Sequence, residues 1–310
     1  MTPTRQFRRL LASDELIVSP GVYDGYSIRL VAAAGFKSAC TSGAAMSNSL
    51  LGVPDIGVMG LTDNVNHCRN LARSVDIPLT ADADTGYGSP VNVHHTVRLF
   101  EEAGVAGVNL EDQVSPKRCG HMPGKEVIDA AEMVKKIEAA CLARRDDAFV
   151  IIARTDAIAI EGIDGAVARA RAYAAAGADL LFPDAVRTEE QIARLVEAAG
   201  IPVTINMGFG IRSRPTTPMF ALPRLKRLGV RRVSLPRMLP AAAIHGMREA
   251  LTLMQRVVAT GEPIDRPDVL VGIEDIVALM GYEEARALEA KLLTSEALET
   301  KYAARSEGSA

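Results

Sequence analysis

Two clusters hold the residue types and spacings with which this chain could do chemistry. Lys117-Arg118-Cys119-Gly120-His121 follows closely on Leu110-Glu111-Asp112-Gln113, and Asp82-Ala83-Asp84-Thr85-Gly86-Tyr87-Gly88 lies upstream of both. A cysteine flanked by two cations and a histidine is suited to work as acid, base or nucleophile, because adjacent positive charge favours its thiolate. Gly120 and Gly124 give that loop the freedom to close and exclude water. Asp82 and Asp84 alternate along an extended segment, so they are predicted to project to one side, where Glu111 from the next strand would join them. Three crowded carboxylates repel one another unless a cation neutralises them. An all-oxygen set with few protein ligands suits Mg2+, with Mn2+ as a substitute. The duller reading of the same acids is a set of helix caps and turn residues.

Arg154 closes the run Ile151-Ile152-Ala153-Arg154. There its guanidinium either grips a substrate carboxylate or phosphate through two parallel hydrogen bonds or pairs with Asp156 or Asp184. Thr41-Ser42-Gly43-Ala44-Ala45 is a small-residue turn whose backbone N–H groups are suited to an anionic oxygen. His67, His94, His95 and His245 have no evident partners and default to packing or surface roles, and Cys40, Cys68 and Cys141 to core filling.

The elements that must position these residues follow one repeated pattern. An Ala-rich amphipathic helix ends at a glycine, and a short β-branched run ending in a polar residue follows, as in Ala176-Gly177 leading to Leu180-Leu181-Phe182-Pro183. The glycine fits the left-handed position that terminates helices, and the apolar run fits a strand buried on both faces. Strands are predicted at 17–22, 38–41, 78–82, 107–111, 149–154, 180–183, 202–206 and 232–235. Eight alternating units over 1–240 match a closed (β/α)8 TIM-type barrel better than an open doubly wound sheet, since no GxGxxG follows the first strand. Asp24, Ser42, Asp82, Asp84, Glu111, Arg154, Asp184 and Asn206 all fall at the C-terminal ends of those strands, the rim on which barrel enzymes build active sites. Residues 241–310 read as a helical extension: one long helix over 241–260, a Gly-Pro linker, two further helices over 269–304 and a frayed end. Its apolar face is predicted to pack on a neighbouring subunit.

Bulk composition narrows the function class. The 310 residues are 48% apolar and 24% charged with net charge −3, which gives no basic face for nucleic acid. No run approaches the roughly 20 apolar residues of a membrane span, and no signal core follows the N-terminus, so a cytoplasmic location is expected. The four cysteines are widely spaced without a CxxC pattern, against a disulfide framework or a zinc site.

Taken together, the Ser42-Gly43 turn, Gly52-Val53-Pro54-Asp55, Asp82-Ala83-Asp84-Thr85-Gly86-Tyr87-Gly88, Glu111-Asp112-Gln113, Lys117-Arg118-Cys119-Gly120-His121 and Ile152-Ala153-Arg154-Thr155-Asp156 resemble the isocitrate lyase / phosphoenolpyruvate mutase superfamily. The motifs are most similar to those of its methylisocitrate and 2,3-dimethylmalate lyases. The resemblance implies a magnesium-dependent (β/α)8 barrel, and a homotetramer with exchanged C-terminal helices. It implies Asp84 as the direct metal ligand, with Asp82 and Glu111 acting mostly through water. Ser42, Gly43 and Ala44 would hold the carboxylate of the 2-oxo-acid fragment beside Asp55. Arg154, His121, Asp184 and Asn206 would bind the rest of a small carboxylate substrate, and Cys119 would be the loop thiol of the carbon–carbon lyases.

The implied reaction is cleavage of a 2-alkylmalate or methylisocitrate-type substrate into a 2-oxo acid and a carboxylate enolate that Cys119 protonates. Tyr23, Tyr87, Asp55 and a water at the metal all remain open as the base for the hydroxyl proton. Alternatives are an oxaloacetate decarboxylase or hydrolase, a carboxyphosphonoenolpyruvate-type phosphonomutase, and a binding protein on a retired barrel. Asp184 stands where methylisocitrate lyases usually carry a glutamate, and Arg212, Arg214 and Arg237 add cations near the rim.

Overall fold

The computed structural model describes residues 1–120, 122, 124–209 and 217–303. His121, Arg212, Arg214 and the segment from 304 onward lie outside the described residues. Eight strands occur where the apolar runs place them: β1 (Ile17–Val22), β2 (Ala39–Thr41), β3 (Leu79–Asp82), β4 (Gly107–Glu111), β5 (Val150–Thr155), β6 (Leu180–Pro183), β7 (Thr204–Asn206) and β8 (Arg232–Leu235). Each pairs in parallel with its neighbour in sequence from β1 to β6, β1 pairs with β8, and β8 with β7. A parallel bridge between Leu181 and Val203 joins β6 to β7 and completes the ring. The fold is a (β/α)8 barrel.

The described α-helices as far as Thr260 are α1 (Pro3–Ala12), α2 (Gly25–Ala33), α3 (Gly43–Met46), α4 (Leu61–Arg73), α5 (Pro90–Glu102), α6 (Ala130–Ala143), α7 (Ile158–Ala175), α8 (Glu189–Ala199), α9 (Leu222–Arg227) and α10 (Met238–Thr260), with a π-helical turn over Ser47–Leu51 after α3. Strands sandwiched between a barrel interior and a helical shell must be apolar on both faces, which is why Val150-Ile151-Ile152-Ala153 is an unbroken buried run. Its alternate residues go opposite ways. Ile151 and Ala153 join the main core with helix residues such as Ile137 and Ala170. Val150 and Ile152 join Ile17, Leu180, Phe182, Phe7 and Leu11 in a second cluster.

That second cluster holds alternate residues of β5 (Val150, Ile152) and β6 (Leu180, Phe182), the faces turned away from the helical shell, and α1 contributes Phe7 and Leu11 to it. Thr2 caps α1, Pro3 starts it, and Thr4 donates to Asp146 at 2.6 Å. Above the ring of Phe7 lies the buried guanidinium of Arg232, 5.5 Å from the ring centroid. Arg232 donates to Ser19 Oγ at 2.9 Å and Thr80 Oγ1 at 2.8 Å. A charge inside a barrel needs such partners, because unpaired burial costs several kcal/mol.

Contacts divide the chain into two compact units, Met1–Ile244 and His245–Ala310. In the second unit, α10 is followed by α11 (Ile273–Leu279), α12 (Tyr282–Leu292) and α13 (Ser295–Ala303). The sequence predicted two helices here, and three form. Gly281, at φ 78°, turns the chain out of α11 into α12, and extended Leu293 ends α12 before α13 begins. No helix among the described residues is long and apolar enough to cross a membrane.

Truncating Phe7 to alanine removes a fully buried ring from the inner cluster. A loss of about 3–5 kcal/mol is expected, read by denaturant unfolding at the barrel's own transition; an unchanged midpoint would show that α1 is dispensable to the barrel.

Candidate active site

The strand ends enclose a cavity of about 740 Å³, solvent mouth included, lined by Ser42, Asp55, Asp82, Glu111, Cys119 and Arg237 among others. Ser42 N-caps α3, its hydroxyl accepting from Ala45 N at 3.3 Å. Gly43 follows, and a Cβ on it would sit 2.6 Å from Asp82 Oδ2. Only glycine lets that backbone come so close to the carboxylate.

β3 ends at Asp82, and the chain does not stay extended. Asp84 is left-handed at φ 48°. This turn, rather than strand alternation as the sequence suggested, sets the geometry of the pair, with Asp84 N donating to Asp82 Oδ1 at 3.3 Å. Aspartate tolerates this conformation better than most residues. Glu111 enters from β4, its N donating to Asp84 O at 2.9 Å, and is almost fully buried.

Lys117 provides the opposing charge. Its Nζ lies 2.6 Å from Asp55 Oδ1 and 2.8 Å from Asp84 Oδ1. Burial by itself would lower the lysine's pKa, but the combined charges of Asp84, Glu111, Asp82 and Asp55 hold it well above its ordinary value. Burial pushes Asp84 up to about 6 in spite of Lys117, with Asp82 and Asp55 acting in the same direction. Glu111 is likewise raised well above the usual carboxylate range, chiefly by burial, although Arg154 and Lys117 oppose it.

The sequence assigned Lys117 and Arg118 to the thiol, and the structure gives Lys117 to the acids. The cation on Cys119 comes instead from the end of β8: Arg237 Nη2 donates to Cys119 Sγ at 2.7 Å. The loop is pinned as it enters the cysteine, by Cys119 N donating to Asp55 O at 3.1 Å and by Gln113, which bonds the backbone N and O of Arg118. Cys119 is buried. Gly120 presses on the next group of charges, since a Cβ there would lie 2.6 Å from Arg154 Nη2 and overlap Asp184 Oδ2.

That group is a buried ion cluster. Arg154 donates Nε to Asp156 Oδ2 at 2.8 Å and Nη2 to Asp156 Oδ1 at 3.0 Å, and its Nη1 lies 3.3 Å from Glu111 Oε2. The two parallel bonds expected for a ligand are therefore made to Asp156, and the Nη1 edge is the one turned toward Glu111. Lys125 bridges Asp156 at 2.7 Å and Asp184 at 3.3 Å. Asp184, also 3.5 Å from Arg154 Nη2, is drawn into this cluster and does not line the cavity.

Ser42, Gly43, Ala44, Asp55, Asp82, Glu111, Cys119, Arg154 and Asn206 line one cavity, with Asp84 attached through Lys117. Tyr23 is not brought there: its backbone O bonds His67 Nε2 at 2.6 Å and its side chain is absent from the lining. Tyr87 accepts from Asn64 Nδ2 at 2.7 Å and is also off the cavity. Asp24 caps α2 through Ser27 N at 2.7 Å, the duller role considered for such acids. His121 falls outside the described residues. Sequence reading passed over Asn109, although it stands two residues before Glu111 on β4 and must share its face. It gave no signal for Lys125.

Among the described residues no three acids, histidines or cysteines are already arranged around one point as metal ligands. The donor set nonetheless fits a hard cation. Among the described residues Glu111 Oε1 and Asn109 Oδ1 are buried oxygens without a hydrogen-bond partner, and Asp84 Oδ1 is met by the ammonium alone. Buried oxygens of this kind need a donor or a cation.

Comparison with known proteins identifies the family. The family model for phosphoenolpyruvate phosphomutase matches residues 7–255. A probable 2-methylisocitrate lyase 2 of Corynebacterium glutamicum is 38% identical over 94% of this chain and 93% of its own length. The 2,3-dimethylmalate lyase of Eubacterium barkeri is 36% identical over 93% of this chain and 98% of its own. The structure of an oxaloacetate acetylhydrolase with 3,3-difluorooxalacetate superposes with a TM-score of 0.86 at 35% identity, covering 94% of this chain and 97% of that one. The barrel, the acids at its strand ends and these matches, which run along nearly the whole chain, place the protein in the phosphoenolpyruvate mutase / isocitrate lyase superfamily.

Proposed function

We propose that this protein is a carbon–carbon lyase that cleaves a 2-hydroxy di- or tricarboxylate of the 2-alkylmalate or methylisocitrate type, with Mg2+ as cofactor and Mn2+ as its substitute. The observation that supports this reading best is the Cys119 thiol, held by Arg237 in the same cavity as Asp55, Asp82 and Glu111. Asp84, Asp82 and Glu111 would hold the divalent ion. When bound, such an ion supplies positive charge to stabilise the oxyanion that develops at the substrate C2 oxygen.

The chain's own residues divide the remaining work. Gly43 and Ala44 receive the carboxylate of the 2-oxo-acid fragment on backbone N–H groups and Ser42 through its hydroxyl, since the Ser42 N–H is held by Val22 O at 3.0 Å. Arg154 offers its Nη1 edge to a second carboxylate, and Asn206 supplies an amide on the opposite strand end. Of the residues open as the base, Tyr23, Tyr87 and Asp55, Asp55 is the one that lines the cavity, which makes it the candidate. The hydroxyl proton leaves to this base, the C2–C3 bond breaks, and C2 becomes a carbonyl. The electron pair passes to the second fragment as a carboxylate enolate, to which Cys119 delivers its S–H proton at carbon. Cys119 is itself buried, in a loop pinned through Cys119 N and Gln113, which restricts the access of water to that carbon.

The similarity to oxaloacetate acetylhydrolase supports a rival within the same cavity, hydrolysis or decarboxylation of oxaloacetate. The thiol separates the lyase from decarboxylation, whose pyruvate enolate solvent can protonate; hydrolysis leaves an acetate enolate that needs the same proton, so the substrate panel separates it. On α10, Met247, Leu251, Met254 and Val258 follow a 4-3-4 spacing and are 57%, 57%, 62% and 80% exposed. This stripe supports a homotetramer in which C-terminal helices are exchanged. Four free cysteines suit a reducing cytoplasm.

With Mg2+, a panel of 2-methylisocitrate, 2,3-dimethylmalate, isocitrate and oxaloacetate should yield 2-oxo acid from a hydroxy acid, read by a coupled NADH assay. Product from oxaloacetate alone would overturn the lyase. Cys119→Ser should lower kcat by about 10²–10⁴-fold, the usual weight of a positioned proton donor, while calorimetry shows oxalate binding retained. Chelation with EDTA should abolish turnover and Mg2+ should restore it; activity in EDTA would remove the metal from the reading. Leu251→Glu should shift the light-scattering mass below that of the wild type, and an unchanged mass would exclude α10 from the interface.

A further inference from the structure

Behind the cavity, on the side of α7, lies a second buried charge network that the proposed reaction does not use. Tyr173 donates its hydroxyl to Asp112 Oδ2 at 2.7 Å. Arg169 Nη1 donates to Tyr173 Oη at 2.9 Å and lies 3.3 Å from the same Asp112 oxygen. The rest of the Arg169 fork grips Glu161, through Nε at 2.8 Å and Nη2 at 2.6 Å. Asp112, Arg169 and Tyr173 are all buried. Burial raises the Asp112 carboxyl, and the bonds from Asp156 N, Thr155 and Tyr173 oppose that rise.

The other oxygen of Asp112 reaches the cavity wall. Asp112 Oδ1 accepts from Asp156 N at 2.9 Å, and the Asp156 carboxylate holds the Arg154 fork by the two bonds described above. Asp112 N also donates to Arg154 O at 3.2 Å. Asp112 therefore fastens β4 to the end of β5 by its main chain and its side chain together. A carboxylate that fixes a backbone amide fixes the side chain next to it, and here that side chain sets which edge of Arg154 faces the cavity.

Local sequence supports the same function for α7. The helix is interrupted at Gly162 (φ 74°, ψ −173°), so its first turn is not continuous with its body. Glu161, just before the break, is tied to Arg169, well into the body. At Gly165 a Cβ would overlap Glu161, which leaves room for that carboxylate to fold back. The clamp thus fixes the entry turn of α7, which follows directly on Asp156, relative to the helix.

We propose that Tyr173 and Arg169 are positioning residues that aim the substrate-binding edge of Arg154 through Asp112 and Asp156. The proposal rests on the lyase reading for its kinetic test and on geometry alone for its structural one. Removing the Tyr173 hydroxyl frees Asp112 Oδ2 to turn toward Arg169, which moves Oδ1 from beneath Asp156 N. When a residue that holds substrate equally in ground and transition states is misaimed, KM rises and kcat is unchanged.

The test uses Tyr173→Phe, Arg169→Lys and Asp112→Ala in the full-length metal-loaded enzyme. Tyr173→Phe should raise KM by about 10-fold with kcat within about 3-fold, and Arg169→Lys should fall between it and wild type, the split expected of lost ground-state positioning. A lower melting temperature with KM unchanged would show a purely structural role and overturn the proposal. Crystal structures of Tyr173→Phe and Asp112→Ala provide the second arm. Displacement of the Arg154 guanidinium from Asp156 supports the relay, and an Arg154 unmoved in both variants overturns it. If wild type turns over nothing in the panel, the lyase reading fails by itself, and the crystallographic arm still decides the relay.

Discussion

Everything in the cavity depends on one ammonium. Asp55, Asp82, Asp84 and Glu111 gather where β3, β4 and the loop before α4 converge, and Lys117 Nζ sits within ion-pair distance of Asp55 and Asp84. Like charges in a poorly solvated space repel strongly, so burial pushes the carboxyls of Asp84 and Glu111 upward. The lysine offsets that repulsion from inside the set. Because it belongs to the segment that carries Cys119, the same contact that neutralises the acids also sets the thiol loop over the cavity.

A second neutralised set lies beside the first. Arg154 and Lys125 are enclosed by Asp156, Asp184 and Glu111. Glu111 joins both sets, facing Arg154 through Oε2 while its Oε1 has no hydrogen-bond partner among the described residues. Breaking one member of such a cluster leaves its partners buried and uncompensated, which is far more costly than the net value of any pair. Small residues are required where backbone meets these charges, and Gly43 and Gly120 stand at those contacts. The scaffold beneath is a strongly apolar barrel, its inner cluster completed by Phe7 and Leu11, so the polar groups are confined to the strand ends.

Much of the fold was legible because its signals are local. A glycine after an Ala-rich helix and a both-faces-apolar run after it located five strands, and apolar runs alone located β1, β3 and β5, all within about two residues, inside the usual uncertainty of element ends. The acids and the thiol were legible for the same reason: their residue types at strand ends are unusual. The directions of side chains were not. Cations adjacent to Cys119 in sequence suggested its partners, but neighbours along an irregular loop do not share a direction, and Lys117 turns to the acids while Arg237 arrives from β8. Arg154 was legible as a rim cation, yet the use of its fork by Asp156 depends on how Asp112 holds the backbone of that residue. Asp24 was indistinguishable by type from the cavity acids and proved to be a helix cap.

Sequence by itself determined the barrel, the order of its strands and the identity of the groups available at its rim, because hydrophobic periodicity and glycine-ended helices are properties of consecutive residues. Tertiary structure decided which rim groups share a cavity and which charge faces which. Asp84 turns on a left-handed residue, Tyr23 falls outside the lining, and Asp184 is drawn from the lumen into an ion cluster. Those outcomes follow from electrostatic pairing between segments far apart in the chain. Such pairing is fixed only when barrel closure brings the segments together, and no local pattern encodes it.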